Sequence, residues 1–168
     1  MFDTIFGLPV HALVVHAVVV LLPVAAIGGA LVALWPRART RFGWLVTLTA
    51  VVAAISVFAA QQSGHYLEEK VQATLGPDSA REGALMEAHT RIADNLLPRA
   101  IVLAAGLVVL LVVGYLSARR TGDGWLRVGG YVASAAVVAG AVLSVYWVIR
   151  IGDAGARAAW TDVVAPGG

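Results

Sequence analysis

Long apolar segments constrain the fold of this chain more than any other feature. Hydrophobic residues make up 60% of its 168 positions and charged residues 13%, whereas soluble domains carry about 25% charged residues. The excess apolar surface has to face lipid, and a run of about 18 apolar residues is long enough to span a membrane as a helix. We predict an all-α fold, an integral membrane four-helix bundle that forms a single membrane domain over residues 1–168. The predicted spans are residues 9–35, 43–62, 97–118 and 128–150.

Two short basic connections predict the orientation of the bundle. Residues 36–41 and 119–127 hold six of the twelve Lys and Arg residues and one of the ten Asp and Glu residues. Because positive residues are enriched in short cytoplasmic loops, both connections are expected in the cytoplasm, and both termini are then extracytoplasmic (N-out, C-out). The same distribution accounts for the pI near 9.4, so no nucleic-acid partner is predicted.

The segment between the second and third spans, residues 63–96, is predicted to form an extracytoplasmic hairpin that extends helices two and three. Residues 77–79 with Glu82 form a capping-box pattern, which predicts a helix start at this point. The turn is predicted at residues 75–78, and Pro98 is expected to kink helix three where it enters the bilayer. One apolar stripe at helical spacing follows the second arm of the hairpin: Leu85, His89, Ile92 and Leu96.

Two spans carry small residues four positions apart, a pattern that lets membrane helices approach closely. Packing within the bundle and dimerisation both fit this pattern, and we favour packing. The two sets are Ala25, Gly29 and Ala33 in the first span and Ala136, Gly140 and Ser144 in the fourth.

The four histidines are all predicted in the outer half of the molecule. His16 lies among Val and Ala residues, and an ionisable group at such a depth usually faces the bundle interior and marks a function, because its burial against lipid is costly. His11 is five positions away, about 140° around a helix, so the two rings are expected to reach different partners. At ~1.5 Å per residue, His11 and His65 lie at matching heights, with His89 above them.

Three interpretations of these histidines remain open. Imidazoles from facing helices would hold a b-type haem, with Arg99 and Arg150 as partners of its propionates. Alternatively, His with Glu87, Asp94 or Asp153 would bind zinc or copper. In the third interpretation no cofactor is bound, and the histidines are hydrogen-bonded polar groups. The candidate cofactor-binding residues are His11, His16, His89, Arg99 and Arg150, and the candidate metal ligands are His11, His16, His65 and His89.

Several segments resemble the DUF2231 family of bacterial membrane proteins, and together they span nearly the whole chain. The most specific is the first, Gly-Leu-Pro-x-His with a second His five residues later. The segments are Phe6–His16, Ser63-Gly64 with Leu67–Glu69, His89 with Asn95–Pro98, and Arg150–Trp160.

This resemblance implies a four-helix protein of the bacterial cytoplasmic (inner) membrane. Some family members are joined to Rieske-type iron–sulfur domains, which implies electron transfer. The family pattern matches this chain at His11, His16 and His89. The chain departs from the pattern at Asp153, where a His is expected, and at His65, where an acidic residue is usual.

The leading hypothesis is a membrane-embedded electron-transfer subunit that binds haem b through histidines near the outer leaflet. Its partner would be a quinone or a redox protein. The alternatives are a non-catalytic accessory subunit of a larger membrane complex and an extracytoplasmic metal-binding membrane protein. Whether the chain is an enzyme and whether it forms homo-oligomers stay open at this point.

Overall fold

The computed structural model describes residues 4–5, 8–74, 80–119 and 124–164 and is helical almost throughout. Thr4–Ile5 and Leu8–Pro9 form a two-residue antiparallel pairing, β1 and β2, ahead of the first helix. The predicted turn at residues 75–78 and the capping residues 77–79 lie outside the described residues. The helices are α1 (Val10–Leu34), α2 (Pro36–Thr74), α3 (Ala80–Ala93), α4 (Leu96–Arg119) and α5 (Gly124–Val164).

Within the described residues, four helical stretches are long and apolar enough to cross a membrane, which confirms the predicted four-span helical fold. Such spans imply a lipid bilayer environment. At ~1.5 Å per residue, the 39 residues of α2 cover ~58 Å, so this helix extends well beyond a hydrocarbon core of ~30 Å. The stretches are Val10–Leu34, Pro36–Lys70, Glu87–Arg119 and Gly124–Arg157.

The helices form a square bundle in which α1 packs against α2 and α5, and α4 packs against the same two helices. The end at which α1 meets α2 is called the basic end here, and the opposite end, where α3 packs on α2 and α5, is called the hairpin end. Apolar side chains cover both the inside and the outside of the bundle, as expected for helices in lipid. The largest buried side chains are Leu22, Leu103, Leu107, Leu110 and Leu126.

The small residues of the first and fourth spans pack within the bundle. Ala25, Gly29 and Ala33 are buried in α1. On α5, Gly140 lies so close to α4 that a Cβ atom there would be 3.1 Å from the backbone N of Leu103. Dispersion contacts between closely spaced backbones stabilise helix pairs in lipid, so this glycine sets the separation of α4 and α5.

A single residue, Trp35, connects α1 to α2. Residues 36–41 were predicted as a loop, and that prediction is wrong, because α2 already begins at Pro36. Proline suits the first position of a helix, where its backbone N–H is not needed and its fixed φ is already helical. The N–H of Arg39 bonds to the carbonyl of Trp35 at 3.0 Å and closes this first turn.

Arg39 ties the basic end of the bundle together. Its Nε donates to the carbonyl of Val32 at 3.1 Å and its Nη2 to the carbonyl of Ala33 at 2.8 Å. These carbonyls belong to the last turn of α1, which has no intrahelical donors for them and carries the negative end of the helix dipole. Nη2 also reaches Ser134 Oγ on α5 at 3.4 Å. Arg39 therefore caps α1 and links three helices.

The helix is interrupted at Asp94–Asn95, between α3 and α4. Pro98 has no N–H, and its ring clashes with the carbonyl four residues earlier, that of Asp94. The amide of Asn95 bonds instead to the carbonyl of Ile92 at 3.2 Å. The helical path of the third span is thus interrupted about one turn upstream of Pro98.

The last helix, α5, runs to Val164 and passes the predicted end of the fourth span at residue 150. The helix continues because α3 packs against it and because Arg157 bonds to Asp153 one turn away, at 2.9 Å.

Candidate functional site

His11, in the first turn of α1, points towards α2 at the hairpin end. Its Nδ1 lies 3.2 Å from the carbonyl of Ala60 and 3.0 Å from Ser63 Oγ. The Ser63 hydroxyl itself donates to the Ala60 carbonyl at 3.0 Å. Both oxygens therefore accept from Nδ1–H, and in the neutral ring the free lone pair is on Nε2. The ring is half-buried, and a Cβ on Gly64 would lie 3.1 Å from its Cε1.

His89, on α3, is seated against α5 in a similar way. A Cβ on Gly155 would lie 3.3 Å from its Cε1 and 3.6 Å from its Nδ1. The Nδ1 atom is buried and has no hydrogen-bond partner among the described residues. A buried polar atom without a partner is destabilising, and such atoms are often explained by a water, an ion or a ligand.

His11 and His89 both lie at the hairpin end of the bundle. We call these two residues the histidine pair. They come from α1 and α3, and each ring rests on a glycine of another helix, α2 or α5. Four helices therefore position the pair. Both residues are among the candidate cofactor-binding residues predicted from the sequence.

His16 does not face the bundle interior, and the prediction that it does is wrong. Its side chain is exposed on the outward face of α1, and its Nδ1 donates to the carbonyl of Ala12 at 2.6 Å. Because His11 is turned towards α2, a residue five positions later is rotated away from it by about 140°. The buried seam of α1 begins instead at Val18.

His65, on α2, contacts a carboxylate at the break between α3 and α4. Its Nε2 contacts Asp94 Oδ1 at 3.1 Å, and both side chains are about half exposed, at 47% and 50%. This contact ties α2 to the break between α3 and α4. Gln61, one turn earlier, donates to the carbonyl of Ala93 at 3.1 Å and strengthens the same junction.

The carboxylates proposed as metal ligands pair with other side chains. Glu87 accepts from Arg91 at 2.8 Å, and Asp153 accepts from Arg157 at 2.9 Å. Among the described residues, no group of three or more His, Asp or Glu side chains is placed to hold a metal ion.

The two arginines proposed as propionate partners have different surroundings. Arg99 stacks on the ring of Trp147, with Cζ 4.7 Å from its centroid, and Nη1 donates to the backbone carbonyl of Asn95. Its Nε is buried and finds no partner in the described part of the chain. Arg150 is exposed and donates to the hydroxyl of Tyr146 at 3.0 Å.

Several residues that build this region are not among the candidate ligands predicted from the sequence. Ser63 and Ala60 fix the tautomer of His11, and Gly64 and Gly155 supply the surfaces on which the rings rest. A signal was present, because both glycines lie in segments that carry the family resemblance. The sequence alone gives no partner for either glycine, since the contacts join residues far apart along the chain.

Comparison with known proteins gives one match. The family model described as "Predicted membrane protein (DUF2231)" matches residues 7–167. No curated protein and no solved structure matches the chain.

Proposed function

Because this chain belongs to the DUF2231 family of predicted membrane proteins, whose description names no activity, we propose a function from its geometry. We propose that it is a membrane-embedded electron-transfer subunit that binds haem b through the histidine pair. The observation that carries the proposal is the state of His11, whose Nδ1–H is held by Ala60 and Ser63 so that Nε2 is left as a ligand.

The donor set of the pair suits an iron porphyrin. Histidine ligands commonly donate their second ring N–H to a backbone carbonyl, which fixes the ring and raises its basicity, and His11 does so. His89, at the same end of the bundle, has a buried Nδ1 without a partner among the described residues. The two imidazoles, from different helices, would then hold the haem iron.

The arginines would have supporting roles. Arg99, with an unpartnered Nε within the described chain, is the better placed partner for a haem carboxylate, and exposed Arg150 is the second. When bound, haem supplies one-electron chemistry. The residues of this chain hold it, orient it and exclude water through the packing of α1, α2, α3 and α5. The electron partner is then a quinone in the bilayer or a redox protein at the hairpin end.

The same proposal places the protein in a bacterial cytoplasmic membrane with the hairpin end outside. Support comes from Arg37, Arg39 and Arg41 at the start of α2 and from Arg119 and Arg127 near the facing ends of α4 and α5, all at the opposite end. The chain has no cysteine, so single-cysteine variants report orientation cleanly. In intact cells, a membrane-impermeant maleimide should label Glu69→Cys, at the hairpin end, and leave Thr40→Cys, at the basic end, unlabelled. The reverse pattern would overturn the orientation.

The visible spectrum of the detergent-purified protein, expressed with ample haem, tests the cofactor. We expect a Soret band with sharp reduced α and β bands after dithionite. His11→Ala and His89→Ala should each lose or shift these bands, whereas His65→Ala is the matched control that keeps them. A wild-type spectrum without a Soret band would refute haem binding.

His16→Ala separates two locations of the site. Retention of the bands assigns the haem to the histidine pair within one bundle. Their loss would move the site to the outward face of α1, where a ring on His16 meets lipid or a second copy. Elemental analysis of the same samples distinguishes haem iron from bound zinc or copper.

A further inference from the structure

A cleft of about 460 Å³ opens at the basic end of the bundle, far from the histidine pair. All four membrane-spanning helices line it. The last turn of α1 and the first turns of α2 and α5 form one side, and α4 forms the other. Glycines leave part of the wall open: a Cβ on Gly114 would have Arg39 Cδ, 4.0 Å away, as its nearest contact.

The cleft is positively charged. Arg39 and Arg127 line it, and the described lining residues include no Asp or Glu. Arg39 uses Nε and Nη2 for protein hydrogen bonds, whereas its Nη1 makes none to the described residues. Arg127 is exposed and has no hydrogen bond or ion pair within the described part of the chain. Hydroxyl groups of Ser117 and Ser134 add polar atoms to the lining.

The position of the cleft matches the level of lipid headgroups. Trp35 and Trp125 are exposed beside it, at 57% and 63%, and Tyr131, which lines it, is 71% exposed. Exposed Trp and Tyr residues concentrate at the boundary between hydrocarbon and headgroups. The remaining lining is apolar and includes Leu34 and Val113. The guanidinium groups of the cleft therefore lie next to an apolar wall at the membrane surface.

We propose that this cleft binds one anionic phospholipid, with the phosphate group at Arg39 and Arg127 and an acyl chain along the apolar wall. Basic pockets between membrane helices bind acidic headgroups, and each nearby Lys or Arg contributes about five-fold in affinity. A zwitterionic phospholipid carries no net charge, so the same arginines raise its affinity less. This site is independent of haem and of the histidine pair.

Native mass spectrometry of the purified protein tests the site with phosphatidylglycerol and phosphatidylcholine of identical acyl chains. We expect one phosphatidylglycerol to remain bound at concentrations where phosphatidylcholine dissociates. Arg127→Gln should weaken phosphatidylglycerol binding about five-fold. Arg37→Gln is the matched control, because Arg37 is an exposed cation of the same end that does not line the cleft.

Three results would overturn the proposal: equal retention of the two lipids, equal losses in Arg127→Gln and Arg37→Gln, or displacement of phosphatidylglycerol by millimolar inorganic phosphate. The second would indicate general attraction to a basic surface, and the third a site for phosphate alone. Gly114→Leu gives a second route, since its side chain fills the cleft. It should abolish retention while leaving the helical content of the protein unchanged, and retained lipid in this variant would also contradict the assignment.

Discussion

Replacement of Gly140 by Ala examines whether the separation of α4 and α5 is fixed by a backbone contact. The new Cβ would lie 3.1 Å from the N of Leu103 and 3.2 Å from its Cα. Backbone atoms cannot rotate away as a flexible side chain does, so the two helices have to separate by a few tenths of an ångström. Leu103 and Val137 are fully buried at this interface and would lose packing contacts.

The magnitude follows from two opposing effects. Overpacking a well-packed core typically costs about 1–3 kcal/mol. Alanine in place of glycine inside a helix contributes about 0.8–1.0 kcal/mol in the other direction. Gly152→Ala isolates the second effect, because Gly152 lies in the same helix and a Cβ there meets no atom of the described residues within 4 Å. We expect Gly140→Ala to be about 1–3 kcal/mol less stable than Gly152→Ala.

Reversible unfolding in mixed micelles, titrated with sodium dodecyl sulfate and followed by circular dichroism, measures both variants under one condition. Equal stability of the two would show that α4 and α5 adjust without loss, and the argument that Gly140 sets their separation would fail. A gain in Gly140→Ala relative to the wild type would refute it more strongly.

Three further predictions use the same unfolding titration. Arg39→Met should lower the free energy of unfolding by about 1.5–3 kcal/mol, since it leaves two carbonyls of α1 without their charged donor, and a loss under 0.5 kcal/mol would contradict that role. A double-mutant cycle of His65→Ala and Asp94→Ala should give a coupling below about 1 kcal/mol, because both groups are half exposed, and a larger coupling would show a buried pair. The cycle of Arg99→Gln and Trp147→Leu should give about 0.5–2 kcal/mol for the stacked pair, and zero coupling would exclude the stack.

The surroundings of His11 and His16 could be predicted from the sequence only in part. The five-residue spacing of His11 and His16 correctly indicated that the two rings reach different surroundings. The same reasoning did not identify which ring faces inward. The cost of burying an ionisable group against lipid favoured a His16 that faces the bundle interior. In the structure, the hydrogen bond to the carbonyl of Ala12 satisfies Nδ1 on the outward face. A hydrogen-bond partner on the same helix thus takes the place of a partner on another helix.

The number of spans and the approximate position of each were determined by the sequence alone. Long apolar runs and helix-breaking residues act locally, so neither requires knowledge of the neighbouring helices. Tertiary structure alone decided which face of each helix points inward. Apolar residues cover every side of these spans, so no contrast between polar and apolar faces identifies the interior. The contacts of His11 with Gly64 and of His89 with Gly155 depend on how four helices are rotated about their own axes. Only the packing of the helices against one another fixes these rotations.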